Sequence, residues 1–204
     1  MRILSKVLVV CAIFAARCAT DRHAATNRFI TRGTLARQGR EKGDEISYWD
    51  GTESGGKPRI EIDLDQQRAY FYKGDRIVGV SVVSTGREGY ETRRGEFRIM
   101  EKDPEHISSL YGAYVDQNGQ VLMENVAVNS DPRPRGAIFR GAAMPYFLRI
   151  HGGIGMHAGY LPGYPALHGC IRLPEKMAVQ FFNNAAVGTP VEIRATSEGS
   201  RHLP

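Results

Sequence analysis

A mostly β domain with minor α content is the fold class this sequence predicts, and three observations predict it. Apolar and acidic residues alternate strictly from Ile60 to Asp65, the period-two pattern of a half-buried strand. Lys73-Gly74-Asp75 then separates two runs rich in aromatic and β-branched residues, Ala69–Tyr72 and Ile77–Val83, which is a hairpin signal. One segment near the C-terminus carries helical start and stop signals. A length of 204 residues with 42% hydrophobic and 24% charged residues suits a single domain with tails.

Met1–Lys6 is a positively charged opening, and Val7–Ala16 is an apolar run too short to span a bilayer as a stable helix. Residues 1–19 are therefore expected to be an export signal peptide, which puts the mature protein in the periplasm or cell envelope. Phe14-Ala-Ala-Arg-Cys18 is similar to a bacterial lipoprotein box but has Arg17 where a small residue is expected. Lipidation of Cys18, with membrane anchoring, and plain cleavage both stay open. The first twenty residues hold Arg2, Lys6 and Arg17 and no acid, so their removal lowers Lys+Arg from 27 to 24 against 22 acids, and the net charge from +5 to +2. Most of the basicity thus belongs to the leader. That argues against a nucleic-acid partner, which requires its excess cations in a patch on the folded domain.

Residues 20–57 read as a basic, Gly-rich linker with a small aromatic segment. Asp21–Gly43 has six Lys or Arg against two acids and no sustained periodicity, as in a solvated tether. Ile46-Ser-Tyr-Trp49 contains the only Trp and is expected to pack on the following domain, residues 58–195. Within that domain, further strands are predicted at Glu96–Met100, Val121–Met123, Val126–Val128, Phe147–Ile150 and Val191–Ile193. Pro174 and Glu175 suit a helix start, Met177, Val179, Phe181, Phe182 and Ala185 give an apolar body, and Gly188-Thr-Pro190 ends it. Residues 196–204 are a tail.

Chemistry concentrates between Ile150 and Pro174, which holds three of the six His and Cys170, with six Gly in residues 152 to 169. A cysteine nucleophile needs a base to take its proton and backbone N–H donors where an oxyanion develops. His168-Gly169-Cys170 brings an imidazole, a permissive backbone and a thiol together. On cysteine count alone, Cys170 is an inert buried thiol, a reactive odd thiol, or the partner of Cys18 in a disulfide.

His157 followed by Leu167-His168-Gly169-Cys170-Ile171-Arg172 resembles the signature of bacterial L,D-transpeptidase catalytic domains. Ile60–Arg68, Ser84-Thr85-Gly86 with Thr92-Arg-Arg-Gly95-Glu-Phe97, and Gly188-Thr-Pro-Val191 resemble further stretches of that family. The resemblance spans Arg59 to Arg194. It implies a mixed, β-sandwich-like fold, with Cys170 as nucleophile and His157 as the imidazole that takes its proton. It implies that His168 and Gly169 flank the nucleophile in the catalytic motif. On the substrate side it places Arg172, to meet a carboxylate, and Ala158, whose backbone carbonyl can orient the imidazole. The implied partners are peptidoglycan stem peptides, the implied enzyme a monomer without metal or other cofactor. The acyl acceptor stays open: a second stem for cross-linking, water for L,D-carboxypeptidase activity, a free D-amino acid, or a lipoprotein side chain.

Two readings of other classes compete. His151, His157, His168 and Cys170 offer zinc donors, but their spacings match no finger or ribbon. A non-catalytic wall-binding module would dispense with the thiol and imidazole, and both are intact. His151 has no family counterpart and reads as a strand or rim residue. Arg93 stands where the family usually has Pro, a surface-turn difference. Leu167 replaces the Ser or Thr that usually precedes His-Gly-Cys: either it packs into the interior, or the missing hydroxyl loosens the loop.

Overall fold

The structure is a computed structural model describing residues 46–51 and 55–195. The leader, Cys18, most of the linker and the tail lie outside these residues. The alternating segment becomes β2 (Pro58–Asp63), and the hairpin after it is β3 (Arg68–Lys73) and β4 (Arg76–Val82), with Gly74 at φ +60 in the turn. The aromatic island forms the short β1 (Tyr48–Trp49), which pairs antiparallel with β4. The strands that follow are β5 (Gly95–Arg98), β6 (Glu101–Val115), β7 (Val121–Ala127), β8 (Ile138–His151), β9 (Ile154–Ala158) and β10 (Ile171–Leu173). Helix α1 (Glu175–Asn184) and β11 (Pro190–Arg194) close the domain.

Two mixed sheets result, ordered β1-β4-β3-β2-β11-β5 and β10-β9-β8-β6-β7. The pairs β2/β11 and β9/β10 are parallel; the others are antiparallel. The expected mostly β, two-sheet class is therefore observed, with one helix among the described residues.

The main core joins Ile60, Ile62 and Phe71 of the first sheet to Leu148, Met156, Ile171 and Leu173 of the second, and to Met177 and Phe181 of α1. Each fully buried side chain of this size contributes about 1.5–3 kcal/mol. Pro174 is the extended residue immediately before the helix rather than its first turn, and its carbonyl accepts the Met177 and Ala178 amides at 3.0 and 2.9 Å. Trp49 packs on the domain as expected, its ring 5.1 Å from Phe71 and 6.1 Å from Phe181. Gly79 makes room for it, since a Cβ there would lie 2.3 Å from Trp49 Cε3.

Long β6 and β8 exceed what the apolar pattern indicates. Each contains a proline, Pro104 and Pro145, and Pro145 pairs opposite Glu105. β7 joins β6 only from Tyr111, and β9 joins β8 only from Leu148. Both prolines thus lie in a two-stranded part of the ribbon, where a missing N–H costs no third-strand bond.

Candidate active site

Parallel pairing sets His157 of β9 opposite Arg172 of β10, with Cys170 in the residue before β10. The other side of β10 is held by Ser84, just past β4: the Arg172 amide donates to the Ser84 carbonyl at 2.8 Å and the Ser84 amide to the Arg172 carbonyl at 3.0 Å. Further back, the Leu167 amide donates to Thr85 O at 3.0 Å and the Arg87 amide to Leu167 O at 2.9 Å. The Ser84 hydroxyl donates to Tyr164 O at 2.7 Å. The buried Thr92 hydroxyl accepts the Gly86 amide and donates to Gly169 O, both at 2.9 Å. Gly169 sits at φ +99, left-handed backbone that a side chain would strain. The Ser84-Thr85-Gly86 and Thr92 motifs thus form a clamp on the loop that carries Cys170.

Cys170 is a free thiol, 2% exposed, packed with Met144, Phe147 and Leu167. Its Sγ–H points to Gly153 O at 3.8 Å. Burial pushes the thiol pKa up, against the Gly155 amide and the Arg172 and Arg149 charges, which pull it down. His157 is 3% exposed, and its Nδ1–H donates to the Ala158 carbonyl at 2.9 Å. That bond fixes the tautomer and leaves Nε2 as an unprotonated acceptor, which has no hydrogen-bond partner among the described residues. Burial, then the Arg172 charge, lowers the imidazole pKa to about 4. At neutral pH the resting pair is therefore a thiol and a neutral imidazole. A free thiol just ahead of β10 and an unengaged, tautomer-locked ring nitrogen on the adjacent β9 suit thiol-based nucleophilic chemistry.

The unfolded chain takes up a proton on His157 near pH 6.5, whereas the folded protein refuses it until about pH 4. This contribution to stability is complete above pH 6.5 and is lost as pH falls toward 4. At about 1.4 kcal/mol per pH unit, the loss is on the order of 3 kcal/mol. Thermal unfolding followed between about pH 7 and pH 4 should show this decline, and His157→Gln should flatten it. An equally steep decline in the variant would assign it to other groups.

The remaining sequence-predicted residues divide. Ala158 is buried at 3%, and its carbonyl contacts His157, so its observed contact is with the imidazole. The half-buried Arg172 donates Nη1–H to Tyr160 O at 2.9 Å. His168 lies between Tyr90 and Tyr111, with ring centroids 4.5 and 5.5 Å away, and accepts from Arg87 Nη2 at 2.9 Å. Burial and the Arg87 charge lower its pKa. His151 is exposed beside Phe97, 6.0 Å between centroids. Among the described residues, no three His, Cys, Asp or Glu side chains are grouped to hold a metal ion.

Leu167 is 6% exposed within the Cys170 cluster, so the interior-packing alternative matches its position. Leu167→Ser is expected to cost about 2–5 kcal/mol with no gain in the acylation rate of Cys170. A tenfold gain at unchanged Tm would instead mean that the hydroxyl is missed.

A cavity of about 230 Å³ opens on Cys170, Arg172 and His168 from β6, β7 and β8, with Tyr111, Glu124 and Arg140 in its wall. These last three are not identifiable from the sequence, because they come from strands without motifs. The one local signal is the gap between the apolar runs Val121–Met123 and Val126–Val128.

The described residues thus form a two-sheet β domain with a buried thiol on a clamped Gly loop, two residues ahead of Arg172, the strand partner of a tautomer-locked imidazole. The L,D-transpeptidase catalytic domain model (YkuD) matches residues 57–193, and the chain belongs to that family. A comparison with curated proteins finds no match. Among solved structures, an L,D-transpeptidase from Mycobacterium smegmatis is similar, with TM-score 0.53, 18% identity and coverage of 69% of this chain and 60% of that one. An Enterococcus faecium L,D-transpeptidase carrying a Cys-to-Ser substitution has TM-score 0.50 and 21% identity over 69% of this chain and 50% of its own. The L,D-transpeptidase LdtMt1 in complex with imipenem has TM-score 0.52 and 17% identity, covering 69% of this chain and 60% of that one. The matched part thus spans 50–60% of the length of these structures.

Proposed function

We propose that the protein is a cysteine-dependent L,D-transpeptidase that remodels peptidoglycan through an acyl-enzyme. Cys170 Sγ attacks the carbonyl of the L-centre of the diamino acid at stem position three, while His157 Nε2 takes the thiol proton. The C–N bond to the terminal D-residue breaks, and the proton passes to the departing amine. The resulting thioester is attacked by the amine of a second stem, which restores the thiol. Arg172 meets a substrate carboxylate, and the loop of His168 and Gly169 aligns the sulfur. The observation that carries this reading is the unpartnered Nε2 of His157, held in the accepting tautomer by Ala158. Burial keeps this imidazole neutral at neutral pH, so Nε2 is open to a proton, while a pKa of about 4 makes it a weak base in the resting protein.

Mass spectrometry of protein and products after incubation with purified wall peptides tests it. The expected result is a thioester adduct on Cys170 with loss of the terminal D-residue, followed by cross-linked stems. Loss of the D-residue with free acid as sole product would make it a carboxypeptidase, and absence of any adduct would defeat the proposal.

Export to the periplasm or cell envelope belongs to the same reading, since the substrate lies there. The leader pattern and the acid-free first twenty residues support it. The mature protein is expected to begin near Cys18 to Asp21, and a diacylglycerol mass on Cys18 would add a membrane anchor.

A further inference from the structure

We propose that Glu124 recognises the protonated side-chain amine of a stem peptide's diamino acid, so that β7 reads the substrate while the Cys170 loop performs the chemistry; this rests on the peptidoglycan reading. Gly112 pairs with Val126 and Tyr114 with Met123, which leaves Glu124 and Asn125 together opposite Ala113. Two residues against one is a β-bulge, a device that redirects side chains beside sites. Asn125 accommodates it at φ +55, a left-handed conformation that Asn adopts more readily than most residues. A regular strand sends successive side chains to opposite faces. Here Glu124, Asn125 and Val126 all line the Cys170 cavity.

The charges around that cavity point to the ligand. Among the described residues lining it, Glu124 is the only carboxylate, and Arg140 and Arg172 are the two arginines. Glu124 is exposed, and no described residue forms an ion pair or hydrogen bond with its side chain. A cavity with two cations favours the carboxylates and carbonyls of a stem peptide, and its single anion marks where an ammonium is tolerated and held. That amine can belong to the acyl donor or to the acceptor stem.

The test uses a synthetic tetrapeptide with lysine at position three and a terminal D-alanine, beside its twin acetylated on the side-chain amine. Binding is measured by calorimetry to Cys170→Ala protein, with and without Glu124→Gln. If the amine is the donor's, the variant weakens the free-amine peptide by about fivefold, the range of an exposed ion pair, and leaves the acetylated twin unchanged. If it is the acceptor's, donor binding is unchanged, but Glu124→Gln in the otherwise wild-type enzyme shifts the acyl-enzyme from amine transfer toward hydrolysis. Equal weakening of both peptides, or no change in binding and partition, overturns the proposal. If wild-type protein forms an acyl-enzyme without amine selectivity, this inference alone fails. If amine-selective binding occurs without any acyl-enzyme, the transpeptidase reading fails and Glu124 remains an amine site.

Discussion

Replacing His157 with alanine is expected to slow acylation of Cys170 by a carbapenem-type β-lactam about 10²–10⁴-fold, the range for losing a general base. The strained ring amide imitates the donor carbonyl, which makes this drug class the natural probe. Burial keeps the sulfur a thiol, so attack needs a proton acceptor at the moment of bond formation. His157 Nε2 is the acceptor without a competing partner. Cys170→Ala should abolish adduct and turnover together, read by intact-protein mass. A His157→Ala rate within a few-fold of wild type would transfer the base role to another group. His168 is the weaker alternative, because Arg87 already donates to its Nε2.

The second large effect is expected at Thr92. Thr92→Val keeps the volume but removes the hydroxyl between the Gly86 amide and the Gly169 carbonyl. Leaving buried partners unpaired costs about 1–3 kcal/mol. The loop carrying Cys170 then shifts, and a displacement of about 1 Å at a reacting centre costs on the order of 10²-fold in rate. The loss should fall on kcat rather than KM, and Thr92→Ser should restore most of it. A lowered Tm with unchanged kcat would reduce Thr92 to a stability role.

Local pattern and tertiary placement contributed differently to what the sequence reveals. β2, the β3/β4 hairpin, α1 and β11 are legible because alternation, turn residues and helix punctuation are properties of neighbours in the chain. The broken signal around Glu124-Asn125 is equally legible as two short runs, though its cause is a bulge inside one strand. β6, the first part of β8 and β9 escape, since Ser108-Ser109, Gly141-Ala142-Ala143 and Gly155 carry no β pattern of their own. Their pairing is imposed by partners distant in sequence. Of the site, the thiol and imidazole stand out as residue types. The resemblance marks Ser84, Thr85, Gly86 and Thr92 without a function, and only the hydrogen bonds supply one. The cavity wall from Tyr111, Glu124 and Arg140 depends on how three strands converge, which spacing along the chain does not encode.

The pairing order of the first sheet has a consequence in time. β5 touches that sheet only through β11, the last strand, and β11 in turn lies beside β2, the first strand of the family-matched region. Thr92 and its clamp lie just ahead of β5. As the chain emerges from the ribosome N-terminus first, β5 has no strand to pair with until Pro190–Arg194 arrives. Long-range closure of this kind is slow to form. The anchor of the strand that follows Thr92 is consequently completed last, when the C-terminal strand is in place.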